Sequence, residues 1–331
     1  MCGVRARLLA LGLGAGLAGV AEAAPPPASP FSWRNASPPV LALGLPRPRP
    51  AALPAAGETE AELVLEVISH YTTEARGGER VVLDGETHGA TLFLERGVGA
   101  GWAASVEVPV LRHDGGFLDP LVDGWHDAFG LPEGGRDRAP RGQVSLVWFD
   151  ESGARLRVEN ASGGVGDLRL GLARALHAAP DRDLALRLSV ELPTGDDDLV
   201  TGSGGTDVAL SLALSDRRWL AAAGMDLQLV AGVLRSGDTV VLEDDVAPIA
   251  AFGTLGLGLP LGGRWMLRGQ LDAHSDLADS ALKQIGGWSV QGGLGVAARV
   301  GGLLLDAAFY EDLRPGSAPD IGFRLGLRGR F

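Results

Sequence analysis

Apolar and polar residues alternate one by one through most of the chain beyond residue 59. In the terminal stretch IGFRLGLRGRF, Ile321, Phe323, Leu325, Leu327 and Phe331 share one parity, while Arg324, Arg328 and Arg330 hold the other. A period of two residues is a strand with one greasy face and one polar face. Upstream, Leu63, Leu65, Val67 and Tyr71 oppose Glu62, Glu66 and His70. After Trp102, Val106, Val108 and Val110 oppose Ser105 and Glu107. Leu168, Leu170 and Leu172 oppose Asp167 and Arg169, and Leu184 to Leu192 oppose Arg187, Ser189 and Glu191. Val208 to Leu214 oppose Asp207, Ser211 and Ser215, and the stretch from Trp219 to Ala231 hides Asp226 and Gln228. Trp265, Leu267 and Leu271 oppose Arg268, Gln270, Asp272 and His274. Trp288, Val290, Leu294 and Val296 oppose Ser289, Gln291 and Arg299, and Leu303, Leu305 and Phe309 oppose Asp306 and Tyr310.

The connections alternate in length. Those at 97–101, 178–182, 216–218, 261–264 and 301–302 are short, whereas 113–141, 194–205, 235–246, 275–286 and 313–319 are longer and more polar. Short turns on one side and long loops on the other are the rule of membrane barrels. Trp102, Trp219 and Trp265 each follow a short turn on the apolar parity, as an aromatic girdle requires, and Trp288 and Phe331 complete the expected interface aromatics. The expected fold is all-β: a transmembrane antiparallel up-and-down β-barrel of about 12 strands with long external loops. A hairpin read over 143–160 raises the count to about 14 if it joins the wall, but its arms fall short of the ~9–11 residues a spanning strand needs.

The start of the chain reads as an export signal over residues 1–23: Arg5 and Arg7, an apolar run from Leu8 to Val20, then Ala21-Glu22-Ala23. Its cleavage removes Cys2, the single cysteine, and leaves no thiol for disulfides or metal. Residues 24–58 are rich in Pro and Ala and exclude a central strand or helix. One reading is a disordered periplasmic linker. The other is a segment docked at the periplasmic mouth of the barrel, because a solvated linker has no need of Phe31 and Trp33. Residues 59–331 form the barrel. A formal charge of −12 without a basic run argues against nucleic acid.

The block DGGFLDPLVDGWHDAFGLPEGGRD within 84–141, FSWRNASPP near the start and GVGDLRLGL at 164–172 resemble the bacterial family called domain of unknown function 3187. That resemblance implies an outer-membrane barrel of Gram-negative bacteria and transfers no catalytic residue. The last strand and its final Phe331 resemble the terminal strand that barrel-insertion machinery reads. Outer-membrane lipid and lipopolysaccharide are the other expected partners.

Three constellations bear on function. The expected lumen is mixed in charge: Glu62, Glu66, Glu107, Arg169, Arg187, Asp226, Arg268, Asp272, Asp306, Arg324 and Arg328. These residues either compensate one another structurally or form an eyelet that selects solutes. Closure places the last strand beside the first, so Arg324 and Arg328 are expected to pair with Glu62, Glu66 and Asp306. In the loop 113–141, Phe117, Leu121, Trp125 and Phe129, with His126 and Asp127, recur at helical spacing. That helix either packs on the rim or folds inward as a gate; a His/Asp catalytic site is the third reading. The acidic clusters 196–198 and 243–245 match no cation-binding loop, and neither metal nor cofactor is expected. The expected function is a passive channel or transporter for a small solute. The alternatives are a structural or adhesive barrel without an open pore, and a membrane-embedded hydrolase.

Overall fold

The computed structural model describes residues 26, 29–41, 43–130, 135, 136, 139–240, 242 and 245–331. The expected signal peptide, Glu243, Asp244 and the side chains of Trp125, His126 and Phe129 lie outside the described residues.

Twelve antiparallel strands close into a barrel: β1 (Thr59–Arg76), β2 (Glu79–Gly99), β3 (Trp102–Asp114), β7 (Leu168–Ala179), β8 (Arg182–Leu192), β9 (Asp207–Asp216), β10 (Asp226–Arg235), β11 (Ile249–Gly262), β12 (Trp265–His274), β13 (Ser289–Val300), β14 (Leu303–Asp312) and β15 (Ile321–Arg330). The seam runs from Glu60 opposite Arg330 to Ser69 opposite Ile321. Thr59 and Phe331 exchange both backbone hydrogen bonds, so the ladder is tight at its lower end. Closure leaves no unpaired edge, the condition for strands in a bilayer.

Alternation sets the two faces. Leu65 is 46% exposed, whereas its neighbours Glu66 and Val64 are buried. Leu172, Leu212, Leu267, Val296 and Leu327 are likewise exposed around the outside. The carboxylates and guanidiniums in the middle of the strands, such as Glu62, Glu66, Glu107, Arg268 and Arg324, face inward. This apolar-out, polar-in arrangement is the inverse of a soluble domain.

The hairpin β4 (Ser145–Asp150) and β5 (Gly153–Val158) does not join the wall. It extends β2 beyond the barrel, pairing with Arg80 to Asp84. There Val81, Leu83, Leu146, Trp148, Leu156 and Val158 form an apolar dome with Leu234 at the end of β10 and Leu242, Leu277, Leu282 and Ile285 of the long loops. A further short strand, β6 (Ser162–Val165), pairs with the upper part of β3 while β7 pairs with the lower part. Pro109 has no N–H for the ladder, and the break falls where the N–H of Gly166 reaches the Pro109 carbonyl at 2.8 Å. Asp167, at the break, accepts from the backbone N–H groups of Thr194, Gly195 and Ser203 and pins the 194–205 loop.

Trp219 departs from its expected place at the head of a strand. The Asp216 carboxylate accepts from the N–H groups of Arg218 and Trp219, at 2.7 Å each, and holds a longer turn that ends at Gly224 with φ 66°. β10 therefore begins only at Asp226. Trp102 and Trp265 do open strands, and Trp288 precedes β13 by one residue. Trp102, Trp219, Trp265, Trp288 and Phe331 are all exposed, and an arginine lies over each of the four indoles.

Replacing Leu65 by Arg puts a charge in the middle of the apolar belt beside the seam. The expected loss is about 2–4 kcal/mol, read as a lower urea midpoint for barrels folded in lipid vesicles.

Candidate functional site

The lumen is filled by the chain itself. Residues 29–56 enter beside β12 and β14 at the short-turn end, rise through the barrel, reverse at the single turn α1 (Pro38–Leu41) and descend to β1. Both earlier readings of this stretch, a disordered linker or a segment at the mouth, are replaced by one that passes along the lumen and back. Its prolines deny it a ladder of its own, so side chains of the wall satisfy its backbone. Gln270 accepts from the Phe31 N–H at 2.7 Å and donates to the Phe31 carbonyl at 3.0 Å, as a neighbouring strand would. Asp207 accepts from the Gly44 N–H, and Arg169 donates to the Gly44 carbonyl. Arg187 donates to the Pro50 carbonyl, and Arg34, within the segment, ties both Leu43 and Leu45 carbonyls.

Apolar contacts hold the upper part. Phe31 stacks on Trp33 with centroids 5.1 Å apart, and Trp33 stacks on Tyr310 at 4.8 Å. Val40, Leu43 and Leu45 enter the dome. Ion pairs hold the descending arm. Arg47 meets Glu66 at 2.6 Å and Glu107 at 3.7 Å. Arg49 meets Glu62 at 2.5 Å and Glu60 at 3.6 Å.

The eleven expected lumen residues all lie on inward positions. Glu62, Glu66, Glu107, Arg169, Arg268, Asp306, Arg324 and Arg328 are buried; Arg187, Asp226 and Asp272 are half-buried. Arg324 sits directly opposite Glu66 in the seam, yet it pairs with Asp306 and Glu62, because Arg47 occupies Glu66. Arg328 reaches Glu62 at 3.1 Å, Arg169 pairs with Glu191, and Arg187 meets Glu95 at 2.6 Å. Asp272 accepts from Thr254 and Gln270. Sequence reasoning missed Arg47, Arg49, Glu60 and Glu95; it placed Gln270 on the polar face of its strand but not its bonds to Phe31. The signal for the first two was two arginines placed between prolines in a stretch with no strand pattern.

The loop after β3 forms the helix α2 (Asp119–Phe129), but not inside the barrel. Leu118 and Val122 are buried against Val67, Ile321 and Phe323, of which Val67 and Phe323 belong to the outer face of β1 and β15. Phe117, Leu121 and Asp127 are exposed. The helix therefore lies on the outer rim, one of its two expected positions, and the exposed Phe117 and Leu121 do not point inward as the alternative, a gate, would need. Arg136 fastens it, donating to Asp119, Asp320 and Ser69 at 2.7–2.8 Å. Burial pushes the Asp320 carboxyl up to about 7, against the pull of Arg136. His113 does not form a dyad with Asp114. Its ring contacts the Thr87 hydroxyl and the Val200 carbonyl, while Asp114 turns to Arg112 and His88.

A family model described as protein of unknown function, DUF3187, matches residues 21–331. The chain belongs to the DUF3187 family. No curated protein matches it. Among solved structures, the COG4313 outer membrane channel from Pseudomonas putida F1 is similar at 15% identity with TM-score 0.53, over 84% of this chain and 96% of that one. The NanC porin follows at 9% identity and TM-score 0.46, covering 82% and 98%. A KdgM porin in complex with disordered oligogalacturonate has 8% identity and TM-score 0.42, covering 83% and 99%. At these identities the likeness concerns the fold. This DUF3187 chain is an outer-membrane β-barrel, a class in which short turns mark the periplasmic end.

The acidic runs read from the sequence serve the loops. Asp196 accepts from the Leu199 N–H, and Asp245 pairs with Arg155 at 2.7 Å. Among the described residues no cluster of His, Cys, Asp and Glu has a metal-holding arrangement.

The Arg47–Glu66 contact gives a direct test of how this family member anchors its segment. Glu66→Ala leaves a buried guanidinium short of its main partner, with an expected loss of about 3 kcal/mol. Arg47→Ala combined with Glu66→Ala should lose less than the two single losses together, by at least 1 kcal/mol in a urea-unfolding cycle in vesicles.

Proposed function

We infer that the protein is a gated outer-membrane channel for small solutes, held closed in this conformation by residues 29–56. The observation that carries this reading is the division of labour in the chain. The wall closes through its own twelve strands, while the segment that fills it contributes a single isolated bridge, Ala56 to Gly97. Withdrawing the segment breaks no wall ladder. It uncovers a lumen lined by Glu62, Glu66, Glu107, Asp226, Asp272 and Asp306 against Arg169, Arg187, Arg268, Arg324 and Arg328. That mixed lining suits hydrated solutes and forms the eyelet of the open state. Arg47 and Arg49 leave with the segment, so the open lumen gains negative character around Glu62 and Glu66.

A second reading has its own observation. The apolar dome covers the outer mouth and includes Val40, Leu43 and Leu45 of the segment. A barrel sealed at both levels suits a structural or adhesive role in which the loops meet partners.

Conductance separates the two. The wild-type protein in planar bilayers should stay closed with brief openings. A variant with residues 29–50 deleted should conduct persistently, with a preference for cations. Arg47→Ala with Arg49→Ala serves where the deletion fails to fold, as judged by heat-modifiable gel migration, and should raise open time severalfold. Tight, silent barrels from folded variants of both kinds would leave the structural reading standing.

A further inference from the structure

A cavity of about 290 Å³ lies at the periplasmic mouth, bounded by both arms of the lumen segment and by the wall. Ser29 lines it from the rising arm, and Pro50 and Ala52 from the descending arm. Arg299, Arg328, Arg330 and Glu60 line it from β13, β15 and β1. Three guanidiniums thus meet one carboxylate in the lining, and a second, Glu62, reaches only Arg328 among them, at 3.1 Å. Glu60 is already divided among Arg49 at 3.6 Å, Arg328 at 3.8 Å and Arg330 at 2.7 Å. Arg299 has no carboxylate partner among the described residues, although it sits half-buried beside the cavity.

The hydrogen-bond ledger of the lining is also incomplete. Ser29 is 3% exposed, yet its hydroxyl has no partner. The Arg299 Nε is buried without a hydrogen bond among the described residues, whereas the Arg328 Nε has Glu60 at 3.8 Å. A buried donor without an acceptor is costly; Ser29 and Arg299, each with one such donor, border the cavity, and Arg299 adds a charge that no described carboxylate offsets, so the site calls for an acceptor-rich occupant. Water satisfies hydroxyls but leaves the surplus positive charge. An oxyanion satisfies both, and guanidinium donors suit carboxylate and phosphate oxygens in particular.

We propose that this cavity binds a small doubly charged oxyanion from the periplasm, held by Arg299, Arg328 and Ser29, and that the bound anion locks the segment in the lumen. The lock follows from the lining. A ligand that touches both arms and the wall binds the closed arrangement and loses those contacts when the segment withdraws, so it shifts the population toward closed. The binding claim rests on the cavity alone; the locking claim rests also on the gated-channel reading.

The test uses the full folded protein in detergent, titrated calorimetrically with succinate and separately with inorganic phosphate, and with succinamide as the uncharged counterpart. Binding of either anion, with succinamide inert, is expected; whichever anion binds more tightly names the headgroup. Arg299→Gln should weaken binding at least tenfold, and Ser29→Val severalfold. Arg264→Gln, an exposed arginine outside the lining, should bind as the wild type does. No binding by either anion, equal binding of succinamide, or an unchanged Arg299→Gln would mean that the cavity holds water only, and the proposal falls. Bilayer recordings then separate the two claims. An anion that binds should also reduce openings of Arg47→Ala/Arg49→Ala at least threefold. Absent binding in a protein that conducts when opened overturns this site and leaves the channel standing; binding in a protein that never conducts keeps the site and overturns the channel.

Discussion

Glu62 lies in the lumen with no exposed surface, and the arrangement of the barrel follows from what it takes to keep it there. A carboxylate removed from water needs counter-charge and hydrogen-bond donors at once. The wall offers Arg324 and Arg328 from the neighbouring strand. The lumen segment adds Arg49 and the Ser32 hydroxyl at 2.6 Å. Four partners from two sources converge on one side chain. Four residues up the strand, Glu66 repeats the pattern with Arg47 and Tyr310. The inner face of β1 is therefore built for a partner that the sheet alone does not supply, and the segment is that partner.

The same need explains which parts of the molecule were legible in the sequence. Two-residue alternation is a local property, so Leu63 to Tyr71 and Ile321 to Phe331 announced their faces, and the strand count excluded the 143–160 hairpin because its arms are short. Which charge meets which is not local. Arg324 and Arg328 were expected to share Glu62, Glu66 and Asp306; Arg324 takes Asp306 and Glu62, as that set allows, but Glu66, directly opposite it in the seam, goes to a residue 277 positions earlier, Arg47, which arrives through the lumen. Residues 24–58 carry no period at all, since proline removes the donors that make one. Only their composition hinted at burial, in Phe31, Trp33 and the two arginines among the prolines. Likewise the 113–141 loop announced a helix but not the surface it lies on. Its buried pair, Leu118 and Val122, is one helical turn long, enough to dock on Val67 and Phe323 at the rim and too little to fill a mouth.

The segment is bound by two kinds of force with different consequences for movement. Its ion pairs exchange protein partners for water when it withdraws, because an opened lumen is wet and both Arg47 and Glu66 hydrate again. Such an exchange is close to balanced and mainly fixes register. Apolar contacts have no such replacement. Phe31, Trp33, Val40, Leu43 and Leu45 give up buried surface, at roughly 1.5–3 kcal/mol for each large side chain. In the proposed gated channel the bias toward the closed state thus resides in the aromatic stack and the dome, near the outer end, while the charges below decide where the segment sits.

That separation places control at the two ends of the lumen. An event at the outer face that loosens the dome releases the apolar anchor and leaves a segment held by exchangeable charges. An event at the periplasmic mouth acts on the arms where Ser29 and Ala52 face Arg299 and Arg328, and changes the charge balance that fixes the register. Neither event needs the wall to deform, since the twelve-stranded ladder is indifferent to what fills it. A barrel whose occupant is tethered by its own first strand also keeps that occupant at high local concentration. On the proposed gating, a released segment returns without a search, so closure is the default and opening requires a sustained input.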